Sequence, residues 1–285
     1  MNSIRTLAPE DFPPLLREMP SPPKKLYMIG SFPSAENMLL TVVGSRRHSD
    51  YGKEAVESLL SGLSGLPVVI VSGLAFGIDS IAHRTALRYG LKTVAVPGSG
   101  LSEESIYPAA NRELAKEIVR AGGCLVSPFE EGVKAAPWTF PARNRIMAGI
   151  SHATLVVEAD IKSGTLITSK YATEFNRNVF TVPGSIFSSQ SAGPHMLIRL
   201  GATPLTCAAD LAEALGFKPG AERSETDYSD LSADEIKVIE VLSSPLSRDD
   251  LLDRLDMETS KISSLISLLE IKGLIEERLG EFRRI

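Results

Sequence analysis

The chain has 285 residues, 43% of them hydrophobic and 23% charged, which suits one large and one small folded domain and excludes wholesale disorder. Two cysteines exclude a disulfide scaffold or a four-thiolate metal site, and the histidines, at 48, 83, 152 and 195, show no metal-ligand spacing. The net charge of −5, taken alone, points away from a nucleic-acid binder, but residues 229–285 hold 13 acidic and eight basic side chains while residues 1–228 hold 22 of each. A neutral large domain can still concentrate its cations in one place.

Residues 1–35 carry seven of the 18 prolines and are predicted to be an extended lead-in rather than a domain. They contain no apolar leader segment, and no apolar run reaches the ~18 residues that a membrane helix needs, so no membrane association is expected and the default location is the cytoplasm. From 36 to 216, short β-branched runs alternate with helical stretches: Leu39–Val43, Val68–Val71, Thr93–Val96, Cys124–Val126, Thr154–Val157, Val179–Val182 and, more weakly, Thr203–Thr206. Most are apolar throughout, as strands buried on both faces are. The alternation predicts βαβ units with right-handed crossovers and a Rossmann-like, doubly wound α/β domain with a mostly parallel sheet. Residues 217–229, FKPGAERSETDYS, are predicted to be a linker.

Residues 230–285 read as a small winged-helix domain. A first helix carries Ile236, Ile239 and Leu242 on one stripe, and Ser247 caps a second whose first turn holds Asp249 and Asp250. A third carries Ile262, Leu265, Ile266 and Leu269 at i, i+3, i+4, i+7 and ends at Gly273. Leu274–Arg278 and Glu281–Ile285 can pair through Gly280 as a wing.

In an open parallel sheet, ligands sit beyond the carboxyl ends of the strands. Here those ends read Gly44-Ser45-Arg46-Arg47, Ser72-Gly73-Leu74-Ala75-Phe76-Gly77, Pro97-Gly98-Ser99-Gly100 and Ser163-Gly164-Thr165. Glycines let a backbone approach a phosphate, helix N-termini aim free N–H groups at it, and hydroxyls and arginines add donors. None of these loops matches GxGxxG or GxxxxGK[ST], so the anion-binding signal lies in several loops sharing one edge. Phe140-Pro141-Ala142-Arg143-Asn144-Arg145 adds two bidentate phosphate binders beside a ring able to stack on a base. Phe140 as a core residue and the arginines as surface ion-pair partners is the bland alternative.

Catalytic patterns are sparse. Asp79 and His83 stand at i, i+4 and could form a dyad, although such a pair more often packs or caps a helix. Cys124 lies within a strand and reads as a small buried hydrophobe rather than a nucleophile. Glu158 and Asp160 end a strand and could hold Mg²⁺ or a ribose hydroxyl, but lack a third carboxylate nearby. No cofactor and no metal are expected.

Taken together, VVGSRR, SGLAFGIDSIAH, VPGSG followed by YPAANREL, FPARNRIMAG, SGTLIT, VFTVPGS and GPHMLIRLGA closely resemble, in order, the motifs of the DprA/Smf family of bacterial DNA-processing proteins. The resemblance runs from about residue 11 to 210, and the tail resembles the winged-helix domain that many members carry. It implies a homodimer without catalytic activity that binds and protects single-stranded DNA during natural transformation and loads the RecA recombinase onto it. Carried over by motif, the DNA-contacting candidates are Ser45, Arg46, Arg47, Ser72, Gly73, Phe140, Arg143, Asn144, Arg145, Ser163, Gly164 and Thr165. Lys162 and Lys170 could extend the basic track. The apolar content of Met196–Leu215 fits a dimer contact, with internal packing as the alternative.

Two other functions compete with this one. A nucleotide-cleaving enzyme like the "lonely guy" phosphoribohydrolases would need PGGxGTxxE, whereas here VPGSG and SGTLIT are separate and no glutamate follows at the needed spacing. A winged-helix transcription regulator would need a recognition helix rich in base-reading donors, and residues 258–272 offer only Lys261 and Lys272 as basic side chains. The acidic tail is therefore expected to add little to DNA affinity and to serve as an interaction module, although Arg278, Arg283 and Arg284 on the wing argue the other way.

Overall fold

A computed structural model describes residues 3–217, 231–242, 246–255, 257–278 and 280–284. The chain divides into two compact units, Met1–Pro219 and Gly220–Ile285. Of the expected linker, only Phe217 lies within the described residues, and it packs against the core of the first unit.

The first unit is built on a nine-stranded sheet. Two strands come from the N-terminal segment, β1 (Arg5–Leu7) and β2 (Leu26–Gly30). The seven expected runs form β3 (Met38–Val43), β4 (Val68–Ser72), β5 (Lys92–Ala95), β6 (Cys124–Ser127), β7 (Ala153–Val156), β8 (Asn178–Thr181) and β9 (Thr203–Pro204). Their order across the sheet is β1-β2-β6-β5-β4-β3-β7-β8-β9. All neighbouring pairs among the seven are parallel. Every residue of β4, β6 and β7 is buried, because helices cover both faces of the sheet.

Leu39, Val43, Val69, Val71 and Val94 face one cluster; Leu40, Val42, Val68 and Ile70 face the other. That alternation assigns the helices. The first cluster takes Leu16 from α1 (Pro14–Glu18), and the second takes Val56 and Leu59 from α2 (Asp50–Ser61) and Ile78 and Ala82 from α3 (Ile78–Arg88). α4 (Arg112–Arg120) packs Leu114 and Ile118 in a smaller cluster with Ile29 and Leu125. α5 (Thr139–Ile150), α6 (Thr165–Glu174) and α7 (Ala192–Arg199) give Ile146, Met147, Ala172 and Leu197 to the first cluster, and α8 (Ala208–Ala214) gives Leu211 to the second.

The Pro-rich segment 1–35 is no separate lead-in; it is part of this unit. β1 and β2 extend the sheet beyond β6, both antiparallel to their neighbours. Between them, Phe12, Leu16 and Met19 are buried in the same cluster as Ile146, Met147 and Ile150. Prolines interrupt any period the sequence could show, but they also pre-set the extended backbone that carries these isolated anchors inward. Two arginines tie the segment down. Arg177 donates to Leu15 O at 3.0 Å and to the Glu18 carboxylate at 3.2 Å, and Arg145 donates to the carbonyls of Pro20 and Ser21.

The second unit holds α9 (Ala233–Val241), α10 (Arg248–Arg254) and α11 (Thr259–Ile271). Its three strands, β10 (Leu246–Ser247), β11 (Ile275–Arg278) and β12 (Glu281–Arg284), form a sheet in the order β10-β12-β11. β11 and β12 pair as the expected wing, and β10, ahead of α10, adds a third strand to that sheet. Ser232 and Glu235 form a capping box on α9, and Ser247 caps α10. Val238, Ile239, Leu251, Ile262, Ile266, Leu269 and Phe282 lie in the core. No helix among the described residues is long and apolar enough to cross a membrane.

If the N-terminal segment is a working part of the fold, Leu16→Ala should lower stability by about 2–5 kcal/mol, as truncation of a fully buried leucine does. A urea midpoint unchanged by the substitution would return the segment to the status of a passive leader.

Candidate functional site

β3 is the strand from which the sheet runs both ways, to β4, β5 and β6 on one side and to β7, β8 and β9 on the other. Crossovers that leave in opposite directions part beyond the carboxyl ends of the strands and open a crevice there. At this point the structure has a cleft of about 490 Å³ whose walls come from the loops after β3 and β7 and from α5. Ser45, Arg46, Arg47, Phe140, Arg143, Asn144, Ser163, Gly164 and Thr165 all line it, so most of the expected contacts converge. Asp160, Lys162, Thr168 and Gln190 line it as well; of these, only Gln190 has no sign in the sequence.

Local bonds fix the walls. The loop after β7 is tied to that after β3 by Thr165 Oγ1, which donates to Gly44 O at 3.0 Å, and to α5 by Asn144 Nδ2, which donates to Gly164 O at 3.2 Å. Ser45 Oγ accepts from Arg47 N at 3.1 Å in a turn from which Arg46 and Arg47 stand exposed. Lys162, on the loop after β7, is exposed too, with Asp160 accepting its backbone N–H. The guanidinium of Arg46 lies 4.9 Å from the centre of the half-buried Phe140 ring, within range of a cation–π contact. Tyr107 approaches the same ring at 6.3 Å. The cleft therefore presents cations and a stacking face together, with Thr165 and Thr168 of the first turn of α6 in its lining.

Five expected contacts have other duties. Arg143 is only 4% exposed; its Nη1 donates to Val96 O at 2.9 Å and lies 3.8 Å from Asp79 Oδ2. Asp79 in turn accepts backbone N–H groups of Gly73 and Ala75. Burial pushes the Asp79 carboxyl up, and the Arg143 charge opposes that shift. Gly73 is needed because a Cβ there would fall 1.4 Å from Arg143 Nη1. Arg143 and Gly73 are thus the joint that locks α5 onto the loops after β4 and β5, with Arg143 at the cleft floor. Arg145 points away from the cleft: two positions along a helix rotate a side chain by roughly 200°, which carries it to the Pro20 and Ser21 carbonyls and the Phe175 ring. Ser72 is buried and donates to Val42 O at 2.6 Å, which joins β4 to β3. Lys170 is exposed on α6, 3.8 Å from Glu174, and does not line the cleft.

The residues with catalytic potential are also engaged in structure. His83 is fully buried with Nδ1 2.7 Å from Thr93 Oγ1, whose hydroxyl donates to Ile70 O, and burial pulls its pKa to about 3. Its partner is therefore Thr93, while that of Asp79 is Arg143. Burial pushes the Cys124 thiol up to about 12, well away from thiolate chemistry. Glu158 accepts both the N–H and the hydroxyl of Ser49, the N-cap of α2.

The fold has counterparts among known proteins. The family model of DNA recombination-mediator protein A matches residues 3–216, and that of the DprA winged helix domain matches residues 222–281. Protein Smf of Escherichia coli is 40% identical over 208 residues, covering 73% of this chain and 55% of that one. DNA processing protein DprA of Streptococcus pneumoniae is 40% identical over 202 residues, covering 71% and 70%. The chain spans little more than half the length of the Smf relatives it matches from Escherichia coli and Synechocystis. Among solved structures, the Streptococcus pneumoniae protein aligns with a TM-score of 0.67 at 38% identity, covering 74% of each chain. Helicobacter pylori DNA processing protein A, solved for its single-stranded DNA binding mode, aligns at 0.65 and 28% identity, covering 75% of this chain and 96% of its own.

The buried groups carry two expectations. Asp79→Ala leaves the Arg143 guanidinium uncompensated and should cost about 3–5 kcal/mol in chemical denaturation. His83 stays neutral in the fold down to about pH 3, whereas an unfolded histidine titrates near 6.5, so protons bind the unfolded chain first. As pH falls below 6.5, this residue should remove up to about 1.4 kcal/mol of stability per pH unit, and His83→Gln should flatten that limb of the stability–pH curve.

Proposed function

The chain belongs to the DNA recombination-mediator protein A family, the DprA/Smf proteins, and from this footing we propose that it binds single-stranded DNA in the cleft at the β3–β7 switch point. The observation that carries the reading is the joint presentation of Arg46, Arg47 and Lys162 with the half-exposed Phe140 ring around one cleft: cations track a phosphate backbone while an aromatic face accepts any base. The single-stranded DNA binding of the Helicobacter pylori relative supports it. Binding of this kind tolerates sequence and prefers unpaired strands, since a duplex keeps its base faces stacked. Ser45, Asn144, Ser163, Gly164 and Thr165 shape the walls around the strand, and Arg143 holds the floor.

We further propose the finer role of the family for this chain: protection of incoming single strands during natural transformation and loading of RecA onto them by a homodimer. The dimer reading rests on the family and on Leu200, 75% exposed just after α7. The rest of that apolar stretch is internal packing, with Leu197, Leu211 and Leu215 buried and Met196 against the core. The winged helix is read as an interaction module. Both lysines of its third helix are engaged by carboxylates of α9, Lys261 with Asp234 and Lys272 with Glu235, which weakens a groove-reading role.

Arg46→Ala with Arg47→Ala should weaken binding of random single-stranded oligonucleotides and lower the slope of log affinity against log salt by about 1.4, at about 0.7 for each phosphate no longer neutralised. Fluorescence anisotropy over a salt series reads both. Wild-type affinity and slope in the double variant would show that the strand lies elsewhere.

A further inference from the structure

Beyond the cleft, the carboxyl edge of the sheet carries aromatic rings that the cleft does not use. Phe76, in the loop after β4, is 48% exposed; Tyr107, after β5, is 47% exposed; Trp138, at the start of α5 beyond β6, is 63% exposed. Large aromatic side chains gathered half in water mark a surface that a partner covers. These rings are also held in place. Tyr107 leans on Phe140, Trp138 meets the buried Phe129 edge-on at 5.4 Å, and Thr139 beside it donates to Gly98 O at 2.6 Å, pinning the start of α5 over the end of β5. Phe76, Tyr107 and Phe140 line one shallow recess, which shares Arg46 and Phe140 with the cleft, so the two surfaces are continuous.

The occupant follows from the charges. Past Arg46 the neighbouring loops carry Glu103, Glu104, Glu130 and Glu131, with Glu103 bound to Lys116 and Glu130 to Lys25. With those pairs and the exposed Lys134 on the same loop, the surface adds little net charge but offers ring faces, which suits bases laid inward with the backbone turned to solvent. Four strand ends, β3 to β6, span about 14 Å at about 4.8 Å per strand, room for more than one base. We propose that Phe76, Tyr107 and Trp138 form a stacking ledge on which a single strand leaving the cleft continues across the ends of β4, β5 and β6. The inference rests on the cleft being the strand's entry. It adds a division of labour: the cleft contributes the salt-dependent part of the affinity, and the ledge contributes a part that depends on strand length and hardly on salt.

Trp138 is the only tryptophan in the chain, so intrinsic emission reports on one end of the ledge. Oligothymidylates of about four and about sixteen nucleotides, bracketing the usual site sizes, separate the two surfaces. With the wild-type protein, the long oligonucleotide should bind more tightly than the short one and quench Trp138, while the short one binds without quenching. Phe76→Ala with Trp138→Phe, followed by anisotropy, should leave the short oligonucleotide unaffected, cost the long one about tenfold, and keep the salt slope unchanged. Circular dichroism checks the fold of the variant. Absence of quenching by the long strand, or equal losses for both lengths, would overturn the ledge and leave the cleft standing. Failure of the wild type to bind either length would instead bring down the cleft reading, and the ledge with it.

Discussion

A guanidinium removed from water needs partners and room, and Arg143 draws them from three separate parts of the chain. The Val96 carbonyl comes from the end of β5, the Asp79 carboxylate from the first turn of α3, and the space itself from the missing side chain at Gly73. Breaking one side of a buried pair costs far more than the pair yields, so the geometry is held by the penalty for leaving it. The consequence is positional. α5 is fixed over the edge of the sheet, Phe140 is carried with it, and Arg46 finds a ring to lie against. The groups of the cleft that meet solvent thus inherit their places from a charge that scarcely meets it.

The same helix shows how far the sequence can be read. The seven central strands are legible because most are apolar throughout and end at a turn residue, and the site is legible as an edge because Gly, Ser and Arg crowd several strand ends at once. The roles within FPARNR are not. Arg143 and Arg145 look equivalent until the segment is known to be helical from Thr139, and a helix with Pro141 and Gly149 in it shows little periodicity. Which arginine turns inward depends on Asp79 and Gly73, far away in the chain. The N-terminal segment hides its role for a related reason: its anchors, Phe12, Leu16 and Met19, stand apart among prolines, and their partners lie on α5. Hydroxyls mislead in the same way, since Ser72 and Thr165 have equal chemistry but only one reaches the cleft wall.

The winged helix is legible almost entirely from caps and period, because its contacts are local. Its ion pairs are not, since opposite charges on α9 and α11 become partners only once the helices cross.

The nine-stranded sheet has two open margins, and both are short. One is β1, with three residues, and the other is β9, with two, of which Pro204 has no N–H to offer. Brief, donor-poor margins are a means by which sheet proteins avoid zipping onto one another. The stubby outer strands leave few unpaired backbone groups from which a second sheet could be extended.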